Sequence, residues 1–126
     1  MALSRLLLAD KSALERAGPA MFELGEICTC AVVRLELLHS ARSAGDYTAI
    51  EERLAAYREL RINAETIATA VTAHRELGQK GRHRLPIPDL LIAACAQQHQ
   101  AAVLHADRHY DVLAEVLAFE PVRLEP

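Results

Sequence analysis

Leu6-Leu7-Leu8-Ala9 is a run of four apolar residues closed by Asp10. A short run with no polar alternation predicts a strand buried on both faces, as in a parallel sheet. A helical stretch follows from Asp10 to about Ala17, and Gly18-Pro19 breaks it. A second short helix is expected over Ala20–Leu24, then a strand over Ile27–Cys30. Ala31–Arg42 reads as a helix. Asp46 is a plausible N-cap for the next, which carries Ile50, Leu54 and Tyr57 at helical spacing. Leu60–Ile62 predicts a short strand, and Ala64–Leu77 a helix with Gly78 as its terminal cap. Gln79–Leu85 is a basic loop. Pro88 stands near the start of an apolar helix running from Asp89 to about His99. Ala102–Leu104 predicts another strand. Asp107 opens a last helix with Tyr110, Leu113, Val116 and Leu117, and Val122–Leu124 a final edge strand. Apolar strands alternating with helices imply βαβ crossovers and a parallel sheet covered on both faces.

Composition adds limits to that picture. The 126 residues suit one domain, with 52% apolar and 25% charged residues, a globular mixture. Aromatics are 4% with no Trp, so the core is aliphatic and a base-stacking groove is not expected. Three Cys without a repeated C-x-x-C exclude a disulfide scaffold and a Cys-rich zinc site, and suit a reducing cytosol. The net charge of −3 argues against a globally basic nucleic-acid coat but not against a local patch. The early apolar run is too short for a signal-peptide core or a membrane span, so the chain reads as cytoplasmic. No linker or repeat divides it, and residues 1–126 are read as one domain.

In a parallel α/β sheet, ligands bind beyond the carboxyl ends of the strands. The chain has five Asp; Asp10 and Asp107 follow strand segments and Asp89 opens a helix. Each alone reads better as a helix cap than as a ligand. Glu36 differs. It sits mid-helix, between Val32 and Val33 on the helical wheel, with Leu35, Leu37 and Leu38 covering much of the remainder. A helix apolar nearly all round is expected to be buried. A Glu there needs a partner such as Arg34, Arg42 or His39, or a cation. If Asp10, Glu36, Asp89 and Asp107 converge, their mutual repulsion calls for a counter-charge, and oxygen ligands suit Mg²⁺ or Mn²⁺.

Four blocks of this sequence resemble the PIN-domain family, and specifically its VapC-type toxins. These are Leu7-Leu8-Ala9-Asp10-Lys11-Ser12-Ala13, Val33-Arg34-Leu35-Glu36-Leu37-Leu38, Pro86-Ile87-Pro88-Asp89 through Ala96, and His105-Ala106-Asp107-Arg108-His109-Tyr110-Asp111. The resemblance implies a three-layer α/β/α fold with a short, mostly parallel sheet. It implies a Mg²⁺- or Mn²⁺-dependent endoribonuclease, usually dimeric and silenced by a VapB-type antitoxin. It maps the four acidic positions onto Asp10, Glu36, Asp89 and Asp107, with Ser12 supporting the first. Two positions depart from the pattern. Lys11 stands where Thr is commoner, and His109 where an acidic residue often follows the last Asp, which removes one ligand for a second metal. Asp111, four residues beyond Asp107, is expected to face solvent.

The function expected is hydrolysis of RNA phosphodiester bonds by metal-activated water. The alternative is a non-catalytic PIN-like interaction module, for which Lys11 and His109 speak. A phospho-receiver domain lacks its Lys near the last strand, since Lys11 and Lys80 are the only two. A dehalogenase-like phosphatase would want Asp where Ser12 stands. Lys11, Lys80, Arg82 and Arg84, with His83 beside them, are candidate RNA contacts or a solvated basic loop. His39, His74, His99 and His105 show no ligand spacing. Cys28 and Cys30 share a strand face as small buried hydrophobes.

Overall fold

The computed structural model describes residues 5–18, 21 and 23–124. Five parallel strands form one sheet: β1 (Arg5–Leu8), β2 (Glu26–Cys30), β3 (Arg58–Leu60), β4 (Ala102–His105) and β5 (Pro121–Arg123). Their order is β3-β2-β1-β4-β5. Six helices are described: α1 (Lys11–Arg16), α2 (Ala31–His39), α3 (Ala44–Ala55), α4 (Ala64–Gln79), α5 (Ile87–His99) and α6 (His109–Leu113). The chain steps from β1 outward to β2 and β3, then returns across β1 to β4 and β5. Right-handed crossovers in opposite directions put helices on opposite faces, giving the three-layer α/β/α arrangement expected.

The sheet centre is as apolar as its sequence. Leu6, Leu7 and Leu8 of β1 are fully buried, and so is Val103 of β4. Leu7 pairs with Cys28 on one side and with Val103 on the other. Cys28 and Cys30 are buried free thiols, and burial, with the Glu26 charge beside it, lifts Cys28 to about 11.

Several boundaries differ from those expected, each for a local reason. Ser43, not Asp46, caps α3: its hydroxyl accepts from the Asp46 N–H at 3.0 Å, while Asp46 accepts from the Arg42 N–H. Tyr57 lies beyond the end of α3. Gly78 is inside α4. The left-handed position is Gly81 (φ 70°), and the Arg82 N–H reaches back to the Leu77 carbonyl at 2.8 Å, closing a Schellman turn. β3 lies two residues earlier than expected, α2 stops at His39, and α6 ends at Leu113, so Val116 and Leu117 follow it in turns. Of the helix expected over Ala20–Leu24, Ala20 and Phe22 lie outside the described residues.

The largest correction concerns α2, which is not buried all round. Val33 and Leu37 face the core, but Leu35 is 69% exposed and Glu36 is exposed as well. Arg34 pairs with Glu59 of β3 at 3.1 Å, not with Glu36. Hydropathy around a wheel records which faces could be buried. The described chain supplies packing partners for one of them only.

Truncating the central strand tests where the core sits. Leu7→Ala should cost about 3 kcal/mol, read as a lower urea midpoint; an unchanged midpoint would show that β1 is not the strand on which the sheet is built.

Candidate metal centre

The reversal in strand order falls between β1 and β4, so the carboxyl ends of these two strands border a crevice. Asp10 stands just beyond β1 and Asp107 just beyond β4. Asp10 is extended (φ −151°, ψ 178°) and caps α1, its Oδ1 accepting from the Ala13 N–H at 2.9 Å. Its Oδ2 accepts from the Ala106 N–H at 2.8 Å. One carboxylate therefore holds the start of α1 and the turn after β4 together. Ser12, half-buried, is the second residue of α1, and Lys11 beside it is exposed.

Asp107 and Asp89 meet across this turn. Asp107 Oδ1 accepts from the His109 N–H at 3.0 Å, which shapes the entrance to α6. Asp89 is the third residue of α5, which starts at Ile87 behind Pro86. Two prolines here remove amide donors that would be orphaned in a first helical turn, and the helix dipole favours a carboxylate at that end. The Asp89 side chain is 20% exposed. Its Oδ1 accepts from the Tyr110 hydroxyl at 3.3 Å and its Oδ2 lies 3.0 Å from His109 Nδ1. The same Nδ1 is 3.2 Å from Asp107 Oδ1, so one imidazole nitrogen sits between two carboxylates.

Burial pushes the Asp89 carboxyl above the ordinary carboxylate range; the His109 bond opposes this and the Asp107 charge adds to it. Burial and the Asp89 charge push the Tyr110 phenol well up, so it stays protonated and donates. His105 is fully buried, and burial lowers its pKa. Its Nδ1 accepts from the Asp107 N–H at 3.2 Å, which leaves the proton on Nε2. That atom has no hydrogen-bond partner among the described residues and lies 3.9 Å from Asp111 Oδ1. Asp111 is exposed, as expected, and also pairs with Arg123.

Among the described residues, Asp89, Asp107 and His109 form a group whose ligand atoms all lie within 4.8 Å of one another. Neighbouring ligands about 2.1 Å from an octahedral cation stand about 3.0 Å apart, close to the nitrogen–oxygen separations found here. A half-buried carboxylate beside a second one is a donor set that gains from a cation, and these residues fit a divalent ion. Asp10 borders this group through Ala106 without belonging to it, and Glu36 lies outside it. His109 is the residue that sequence reasoning undervalued. It counted there as a lost ligand, although its spacing of two residues from Asp107 was in view. Tyr110 was placed among the apolar positions of the last helix and His105 was given no site role; both are buried, and their polar atoms serve the two aspartates.

The basic loop lies just before α5. Lys80, Arg82, His83 and Arg84 are all exposed, and Arg82 pairs with Glu115 at 3.2 Å. No described helix is long and apolar enough to cross a membrane.

The sequence model of the PIN domain matches residues 2–116. The chain belongs to the PIN-domain family. Within that family its relatives are of the VapC type. This PIN domain is 41% identical over 116 residues to Ribonuclease VapC17 of Mycobacterium tuberculosis, covering 86% of this chain and 87% of that one. It is 36% identical over 111 residues to Ribonuclease VapC18 of the same organism, covering 86% and 81%. Among solved structures, the DNA-bound VapBC of Salmonella typhimurium superposes with a TM-score of 0.76 at 16% identity, covering 96% of this chain and 98% of that one. VapBC-5 of Mycobacterium tuberculosis gives 0.73 at 21% identity, covering 96% and 99%. Likeness at those identities establishes the fold.

Asp10 should carry structural weight of its own. Asp10→Ala removes a cap and the tie to Ala106, and should cost about 1–2 kcal/mol in a urea titration. Glu36→Gln, on an exposed helix face, should leave the midpoint where it is. Equal losses in the two variants would mean that Asp10 has no special structural role.

Proposed function

We propose that this chain is the toxin of a toxin–antitoxin pair, a Mg²⁺- or Mn²⁺-dependent endoribonuclease acting in the cytoplasm. The reading rests on one observation above others: Asp89 and Asp107 converge, half-buried, where the strand order reverses. The naming of relatives such as VapC17 and VapC18 as ribonucleases supports the activity. The complexes among the structural neighbours support a VapB-type antitoxin as partner.

Asp89 and Asp107 would hold the cation, with Asp10 and Glu36 completing the acidic set. A bound divalent ion supplies Lewis acidity, making water a better nucleophile and offsetting charge on a phosphodiester. The chain's own side chains do the remaining work. Tyr110 holds Asp89 Oδ1, leaving Oδ2 turned toward His109. Asp10 fixes the backbone at Ala106, and His105 fixes it at Asp107. Ser12, two residues beyond Asp10, would support that aspartate, as the family resemblance implies. Lys11, Lys80, Arg82 and Arg84 offer positive charge to a phosphate backbone, Arg82 by exchanging its Glu115 partner. The chain would act as a homodimer. An acidic pocket is also a receptor for an Arg side chain, which pairs with carboxylates in bidentate fashion, and an antitoxin inserting one would compete with the cation.

The test is cleavage of total cellular RNA by antitoxin-free protein, with ends mapped by sequencing. Discrete cuts should require Mg²⁺ or Mn²⁺, vanish with chelator, and fall at least about a hundredfold in Asp89→Asn. Cuts that persist in chelator or in that variant would overturn the reading. Folded protein that cuts no RNA with either metal would favour an interaction module instead.

A further inference from the structure

We propose that His109 is a ligand in its own right. Its Nδ1 completes a mixed nitrogen–oxygen site with Asp89 and Asp107, and this imidazole turns the site's preference from Mg²⁺ toward Mn²⁺. The proposal rests on the reading of Asp89 and Asp107 as metal ligands and goes beyond it. Nδ1 lies 3.0 Å from Asp89 Oδ2 and 3.2 Å from Asp107 Oδ1. Its in-plane electron pair therefore points at the space those oxygens share. A divalent ion there would take that pair on Nδ1, with the ring proton on Nε2. The backbone presets this aim, since Asp107 Oδ1 accepts from the N–H of His109 itself at 3.0 Å. The ring is 34% exposed, open enough for an ion to reach it yet held on two sides. Mg²⁺ prefers oxygen donors and gives up water reluctantly. Imidazole favours first-row transition ions, and Mn²⁺ also accepts carboxylate and water. A nitrogen donor in place of an acid thus lowers the negative charge of the site and penalises Mg²⁺ most.

The experiment uses the full chain, freed of metal and antitoxin, titrated with Mn²⁺ alone and then with Mg²⁺ in competition. Pulsed electron paramagnetic resonance of the Mn²⁺ complex should show ¹⁴N coupling from one imidazole. His109→Gln should abolish that coupling and weaken Mn²⁺ binding about tenfold or more, the scale on which even outer partners of metal ligands act. His109→Asp should keep a bound ion without ¹⁴N coupling and lower the Mn²⁺-over-Mg²⁺ preference. Circular dichroism of both variants checks that they fold. Mn²⁺ bound without ¹⁴N coupling, with affinity lost in Asp89→Asn but unchanged in His109→Gln, would overturn the proposal while sparing the ligand roles of Asp89 and Asp107. Mn²⁺ binding indifferent to Asp89→Asn would overturn both.

Discussion

Strands buried on both faces leave a protein nowhere to keep a charged side chain except at their ends. β1 is such a strand, with Leu6, Leu7 and Leu8 all excluded from water between β2 and β4. Asp10 and Asp107 accordingly stand just past the strand ends. The chain reverses its direction across the sheet at β1, so the edge that opens into a crevice is the one carrying Asp10 and Asp107. The position of the site follows from the burial of the strand.

Within that crevice, charge is balanced locally. Asp89 is drawn into partial burial by α5, and burial raises its pKa even with His109 and Tyr110 bonded to it. The nearby Asp107 adds repulsion. Two carboxylates so placed gain from a cation between them, and His109 Nδ1 lies 3.0 Å from one and 3.2 Å from the other. Asp10 solves a different problem. Its two oxygens are each taken by a backbone amide, which ties helix α1 to the turn after β4. The cap of α1 is thus also the tie that fixes the turn leading to Asp107.

Much of the architecture was legible along the chain. All five strands were expected: unbroken apolar runs mark β1 and β4, whereas the edge strands β3 and β5 carry charged residues and fall one or two residues earlier than expected. Boundaries were less legible where two residues compete for one role. Ser43 and Asp46 are both good caps; the chain uses Ser43 and gives Asp46 the reciprocal bond. Gly78 and Gly81 are both possible helix stops, and the bond from Arg82 to Leu77 selects the second. Glu36 was misjudged for a reason of another kind. Leu35 and Glu36 share an exposed side of α2, and an apolar residue in the sequence does not say whether anything covers it.

The sequence by itself determined the class of fold, the family and the acidic residues worth examining, since these depend on local hydropathy, turn chemistry and the order of short motifs. Only the tertiary structure decided which of those residues meet. Asp89 and Asp107 are 18 positions apart in the chain and meet because the first turn of α5 and the turn after β4 lie at one edge of the sheet. The place of His109 between them, the tie from Asp10 to Ala106 and the exposure of Glu36 were decided at the same level. Distances between side chains on different elements are set by how the elements pack, and packing is a property of the whole chain that no single segment encodes.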